Sequence, residues 1–488
     1  MRPLFFALLA TPVFATDFHV AKTGLDTNPG TDAAPWRTIQ KAADTLAPGD
    51  TAFVHAGVYK ERVALHVSGS AGGGFVTIRN APNEKPIVEG AGLVPPVGED
   101  TGLFLIADRS YVVVQGFEIR NYKTTRGERV PAGVFVTGES DHIEIRGCDI
   151  HHIRYNAKNG NAFGIAVYGT SAAHPITRVI LDGNNVHHLK TGNSESVVLN
   201  GNVTDFEITN NLVHDNNNIG LDFIGFEGTC PDVAQDQARD GVCRGNTVWN
   251  ISSYGNPAYG LSYSADGIYV DGGARIVIEK NVSHHNDIGV ELASEHGGRA
   301  TSGVILRDNF IFKNRIAGLF MGGYDAQRGS CENCTITNNT FFQNDTKRDG
   351  NGEIAFQHFV TGNTITQNIF AAGKQSLLVG NPATTNSGNA FDYNLYFAPD
   401  GVADSQWQWK NSTRTGFADW QGFAQQDAHS LFADAKFVNA LTPDLHLQSV
   451  SPAIDAGDPA FAPAIGETDI DGQPRLIGAR VDAGADEF

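Results

Sequence analysis

Two short patterns alternate along this 488-residue chain, and their regular return constrains the fold more than any single motif does. The first reads GVFVTG from Gly133, GIAVYG from Gly164, SVVLNG from Ser196, GLDFIG from Gly220, GIYVDG from Gly267, GVELAS from Gly289 and GLFMGG from Gly318. The second includes IEIRGCDI, VILDGNNV, FEITNNLV, GVCRGNTV, IVIEKNVS, VILRDNFI and CTITNNTF. Its aligned positions Gly147, Gly183, Asn210, Gly245, Lys280, Asp308, Asn338, Gln367 and Tyr393 return every 26 to 36 residues. A fixed unit with variable loops is the signature of a solenoid. The strands alternate with period two and leave no room for a helical crossover, so successive copies stack in parallel and in the right-handed sense. The expected fold is all-β, a right-handed parallel β-helix.

The register of the repeat sorts side chains into columns. The residue after each aligned position is Asn184, Asn211, Asn246, Asn281, Asn309, Asn339, Asn368 and Asn394, with Cys148 in an earlier coil. A stacked amide column can satisfy the backbone of a buried bend. Three positions on stand His151, His187, His214, Trp249, His284, Phe312 and Phe342, a mixture that reads as a packing stack rather than a metal site. Both ends of a solenoid need covers. Trp36 to Leu46 has helical spacing at Ile39, Ala42 and Ala43 and serves as the N-terminal cap; a Trp-containing stretch and the tail from SPAIDAG onward close the other end. A DxDG at Asp469 to Gly472 is a weak calcium signal, since Asp-Gly turns are common.

The opening MRPLFFALLATPVFA reads as an export signal, residues 1–15, which places the mature chain outside the cell or in the periplasm. Residues 16–100 then form the cap and first coils, 101–398 the β-helix, and 399–488 the closing coils and cap of the same domain. No apolar stretch is long enough to insert into a membrane. The net charge of −19 argues against nucleic acid as a partner. The chain is expected to be a monomer. In an oxidising compartment Cys230 and Cys243 read as a loop-closing disulfide, and Cys331 with Cys334 as a local one.

Alternation sends Val134, Ile165, Val197, Leu221, Ile268 and Val290 inward and their neighbours to solvent. One outward column is Phe135, Ala166, Val198, Asp222, Tyr269, Glu291, Phe320 and Ala355; a second is Thr137, Tyr168, Asn200, Ile224, Asp271 and Ala293. Carboxylates concentrate on three consecutive coils, with Asp271 and Glu291 as diagonal neighbours about 8 Å apart by strand geometry. Such a pair can divide glycoside hydrolysis, one acid protonating the leaving oxygen while the other activates water or attacks the sugar. Asp271 and Glu291 are the candidate catalytic pair, with Asp222 assisting. Tyr269, Phe320, Tyr168, Asn200, His296 and Arg328 are candidate contacts to a carbohydrate, and the insertion from Gly225 to Gly241 is placed as one wall of the site.

The stacked coils and the N-terminal stretch FHVAKTGLDTNPGTDAAPWRTIQKAADTLAPGDTAFVHAGVY resemble the pectate-lyase-like β-helix superfamily, with the family-nine pectate lyases as the nearest comparison by motif. That resemblance implies calcium held by an Asp-Gly coil and an Asp-Asp-Gly-x-Asp coil, and a lysine base in a GFKLGG-like strand. Asp266-Gly267 matches the first; Asp287-Ile288-Gly289-Val290-Glu291 keeps the outer acids of the second; GLFMGG places Phe320 where the lysine would stand. Asp266 and Asp287 are therefore candidate calcium ligands for a polysaccharide lyase acting on an acidic glycan, which would need another base. Hydrolysis needs no cofactor and is the leading expectation; a non-catalytic glycan-binding β-helix is the third.

Overall fold

The computed structural model describes residues 15–97 and 100–488, so the expected export signal falls, except for Ala15, outside the description. Among the described residues, three long sheets of 14, 13 and 13 strands run the length of the molecule, each strand pairing in parallel with its counterpart one coil away apart from one closing hairpin. Together they form the right-handed β-helix. The interior is one continuous apolar stack from Val20 to Trp420.

Coil closure depends on the tight bend between two of the sheets. Every aligned position from Gly147 to Tyr393 has φ between 53° and 67°. That left-handed region is open to glycine and carries a cost of about 1 kcal/mol or more for Lys280, Asp308, Gln367 and Tyr393. The asparagine after each bend offsets the cost. Asn246 Oδ1 accepts from both the backbone N–H and Nδ2 of Asn211 at 2.9 Å, and its own Nδ2 donates to Ile208 O at 2.9 Å. The same bonds recur from Cys148 N on Asn184 to Asn368 on Asn394. The histidine column is the expected stack: ring centroids lie 5.0 Å apart for His151–His187 and His187–His214, 4.0 Å for His214–Trp249 and 4.9 Å for His284–Phe312. Burial, then the neighbouring His285, hold His284 down to about 4, so its ring packs uncharged at neutral pH.

The N-terminal cap is helix α1 (Ile39–Thr45), which buries Ile39, Ala42 and Ala43 and is capped by Thr38 Oγ1 accepting from Lys41 N. At the far end the hairpin Gln406–Trp409/Ser412–Thr415 and helix α2 (Phe417–Ala424) close the stack, with Trp407 on Trp420 at 4.8 Å and Trp420 Nε1 donating to Asp427 at 2.8 Å. The tail then returns along the outside and anchors through Arg475, fully buried against Asp308 and Glu487. Asp469 uses its carboxylate within that tail, accepting from the N–H groups of Asp471, Gln473 and Glu487.

Both expected disulfides are corrected: all five cysteines are buried thiols. Cys243 points into the core in register between Ile208 and Ile278, whereas Cys230 sits in the outer loop, its N–H on Asp236. Cys331 donates to Cys334 across 3.7 Å, both facing the interior. Among the described residues no helix is long and apolar enough to cross a membrane.

Replacing Asn246 with alanine orphans three buried backbone or amide groups and is expected to cost about 3 kcal/mol. His187→Ala, which removes one ring from an outer stack, should cost about 1 kcal/mol. Urea midpoints of the two variants check this ordering, and equal losses would contradict the role given to the ladder.

Candidate active site

The outer face of one 13-stranded sheet carries the acidic cluster in the expected register. Val198 pairs with Asp222, Asp222 with Tyr269, Tyr269 with Glu291 and Glu291 with Phe320; Asp271 pairs with Ala293 and is therefore diagonal to Glu291. The expectation that this face meets solvent is corrected. Asp222, Asp271 and Glu291 are only 2%, 4% and 7% exposed. Loops fold over the sheet and exclude water. The insertion after Ile224 bonds back through Gln237 Nε2 to Gly272 O at 2.6 Å and stacks Phe226 against Arg299. A second insertion, residues 253–264, contributes Tyr259 and Tyr263, and residues 324–329 contribute Tyr324.

Period-two alternation also fails at one point in each coil, and the failure builds the site. Gly133, Gly164, Gly220, Gly267, Gly289 and Gly318 form a column in which an added Cβ would meet a backbone oxygen of the next coil at 2.4 to 2.8 Å. Backbones approach there because no side chain intervenes. The chain bends at this column, and the preceding residue turns outward although its parity points in. Asp266, Ile288 and Ala317 form such a third column, paired in register, with Ile288 and Ala317 packed on the outward Phe320. Asp266 thereby reaches Glu291. Glu195, just before the Ser196 that takes the glycine's place, reaches the same cluster and was missed by alternation; a residue preceding the glycine column is the signal that finds it.

A cleft of about 450 Å³ opens over this face, lined by Asp266, Glu291 and Glu295 together with Tyr259, Tyr263, Tyr269, Phe320 and Tyr324. The Asp266 and Glu291 carboxyls lie close enough to interact directly, and a proton on one of them would let the two bond. Burial, then the charge of Glu291, lift Asp266 well above the usual carboxylate range. Burial lifts Glu291 to about 7, while the neighbouring Asp266 carboxyl pulls it back. Both shifts favour the pair holding one shared proton near neutrality. Asp222 and Asp271 lie outside the cleft lining, beneath the covering loops. Burial and the charge of Glu195 raise Asp222; burial and the charge of Glu295 raise Asp271, whose Oδ1 accepts from Glu295 N at 2.8 Å.

The remaining predicted residues divide. Tyr269 and Phe320 line the cleft. Arg328 borders it, its guanidinium 4.4 Å from the Tyr324 ring and its Nη1 donating to Glu295 O. Asn200 is buried and donates to Glu227 Oε2 at 2.8 Å, and His296 lies with Glu227 and Asp271. Tyr168 stacks on Phe135 in an apolar cluster several coils earlier and does not reach the cleft, a correction to its expected role. Asp287 as a calcium ligand is also corrected. Its fully buried carboxylate accepts from the N–H groups of Ser253, Ser264 and Ala265 and pairs with Arg315 at 3.3 Å, so it pins the base of the 253–264 insertion instead.

Because Asp266 and Glu291 bind protons more tightly in the folded chain, the unfolded chain ionises first as the pH rises; the contribution of Glu291 to stability falls from 4.5 through about 7, and that of Asp266 falls from its ordinary 3.8 upward across the same range. Asp266→Asn should therefore lose less stability than the wild type between those pH values in urea melts. A wild-type-minus-variant difference that does not change with pH would contradict the shared proton.

Comparison with known proteins places the chain. Residues 18–174 match the family described as Pel9A-like, right handed beta helix region, and residues 132–344 match the right handed beta helix region family. The chain is 38% identical over 435 residues to the uncharacterized protein YwoF of Bacillus subtilis, spanning 89% of this chain and 91% of that protein. It is 26% identical over 181 residues to pectate lyase PEL9 of Emericella nidulans, spanning 37% of this chain and 42% of that protein. The solved complex of XylC with xylose is similar in fold, with a TM-score of 0.51 and 14% identity over 78% of this chain and 75% of that one. The chain belongs, with YwoF, to the Pel9A-like right-handed β-helix superfamily.

Proposed function

We propose that the cleft hydrolyses glycosidic bonds of a poly- or oligosaccharide outside the cytoplasm. The observation that carries this reading is the buried Asp266–Glu291 pair on an aromatic cleft, where burial pushes both carboxyls up and favours a shared proton near neutral pH. A proton held there can be delivered to a departing sugar oxygen, and Glu295, on the same cleft, is the second carboxylate, activating water or attacking the sugar. This puts Asp266 in the place of Asp271 beside Glu291 and adds Glu295. Tyr259, Tyr263, Tyr269 and Tyr324 offer ring faces and hydroxyls to sugar. The pectate lyase among the relatives supports carbohydrate as the substrate class. The bond-breaking step as drawn uses no cofactor.

Hydrolysis is favoured over calcium-assisted elimination for two reasons. Phe320 stands opposite Glu291 in register and offers no base, and Asp287 is occupied within the protein. Purified protein screened against a glycan panel should release saturated sugars with new reducing ends. Asp266→Asn and Glu291→Gln should each lower kcat about 100-fold or more. Ultraviolet-absorbing unsaturated products, or cleavage undiminished in both variants, would overturn the reading.

A further inference from the structure

Beside the cleft, Glu227, Asp271 and His296 each bring one ligand atom, all within 4.8 Å of one another. They come from three places: the insertion after Leu221–Ile224, the last residue of Asp266–Asp271, and the loop after Ile288–Ala293. Among the described residues no lysine or arginine forms an ion pair with Glu227, Asp271 or the adjacent Asp222. Two buried oxygens at this cluster also lack partners. Asn200, fully buried, gives its Nδ2 to Glu227 Oε2 while its Oδ1 bonds to nothing described. Asp222 is equally enclosed, diagonal to Asp271 on the neighbouring strand, and its Oδ1 is likewise without a partner. Buried acceptors left so are costly unless a cation completes them.

We propose that Glu227, Asp271 and His296 bind one divalent transition-metal ion, with Asp222 and Asn200 supplying the surrounding oxygens. The donor set decides the class: calcium takes oxygen ligands alone, whereas an imidazole beside two carboxylates suits zinc or manganese. The shared proton of Asp266 and Glu291 is not needed for this site, and the proposal does not rest on glycoside hydrolysis. In each of the other acid–histidine groupings at least one member is exposed or already has another partner. Glu118 and Asp149 pair with Lys85, Asp32 is exposed while His55 pairs with Glu84, and Asp486 accepts from Leu447 N. The ion ties the insertion carrying Glu227 to the loop carrying His296. Glu295 precedes that histidine and donates its N–H to Asp271, so the ion positions Glu295 at the edge of the cleft.

The test uses full-length protein stripped with a chelator and titrated separately with Mn²⁺, Zn²⁺ and Ca²⁺, following Mn²⁺ by electron paramagnetic resonance and Zn²⁺ and Ca²⁺ by calorimetry. One Mn²⁺ or Zn²⁺ per chain is expected, with a higher melting temperature when bound. His296→Ala and Glu227→Gln, both on covering loops, should weaken binding about 100-fold, and Asn200→Ala about 10-fold. No stoichiometric binding, binding unchanged in His296→Ala, or binding of Ca²⁺ alone would each overturn the proposal. All three readouts are independent of whether any glycan is cut.

Discussion

An amide in each coil accepting two N–H donors from the coil before it is the interaction on which the rest of this molecule depends. A solenoid bend buries polar backbone that water cannot reach, and in this chain the asparagines from Asn184 to Asn394 answer that need one coil at a time. Because each amide bonds to its neighbour's backbone, the ladder also locks register. Register in turn decides which side chains stack, so the histidine–aromatic column and the acidic outer columns follow from the same bonds. A slip of one residue would turn every column to the opposite face.

The outer face acquires its chemistry from two departures from regularity. The glycine column lets neighbouring backbones approach and turns Asp266 outward onto Glu291. The insertions then cover carboxylates that a bare sheet would leave in water. Desolvation is the largest influence on Asp222, Asp266, Asp271 and Glu291 alike, and mutual repulsion adds to it. Such a cluster has two ways to exist near neutrality: to hold protons, as the Asp266–Glu291 pair does within the cleft, or to hold a cation, for which Glu227, Asp271 and His296 are arranged. The two solutions lie side by side, joined through Glu295.

The fold was legible because its signals are local and repeated. Five of the nine left-handed bends carry Gly or Asn, the ladder carries Asn from Asn184 to Asn394, and inward positions select Val, Ile and Leu. The columns through Asp222, Tyr269, Glu291 and Phe320 were legible for the same reason. Asp266 could be singled out by a motif, but its turn toward Glu291 could not be read, because period two assigns it inward and only the close approach at Gly267 reverses it. Glu195 was hidden by the same break. Burial of the cluster was invisible because it comes from loops whose paths the repeat does not specify; the 253–264 insertion, anchored on Asp287, is the clearest case. The cysteine spacing misled for a related reason: Cys243 belongs to a core column, and a core column faces away from any loop.

The central claim is that covering this acidic face makes it retain a proton that an exposed carboxylate would release. Infrared difference spectroscopy reads that proton directly, since a protonated carboxyl has a carbonyl band separate from that of carboxylate. At neutral pH the wild type should show a protonated carboxyl band that diminishes in Asp266→Asn. A spectrum of ionised carboxylates alone, identical in the two proteins, would contradict the account.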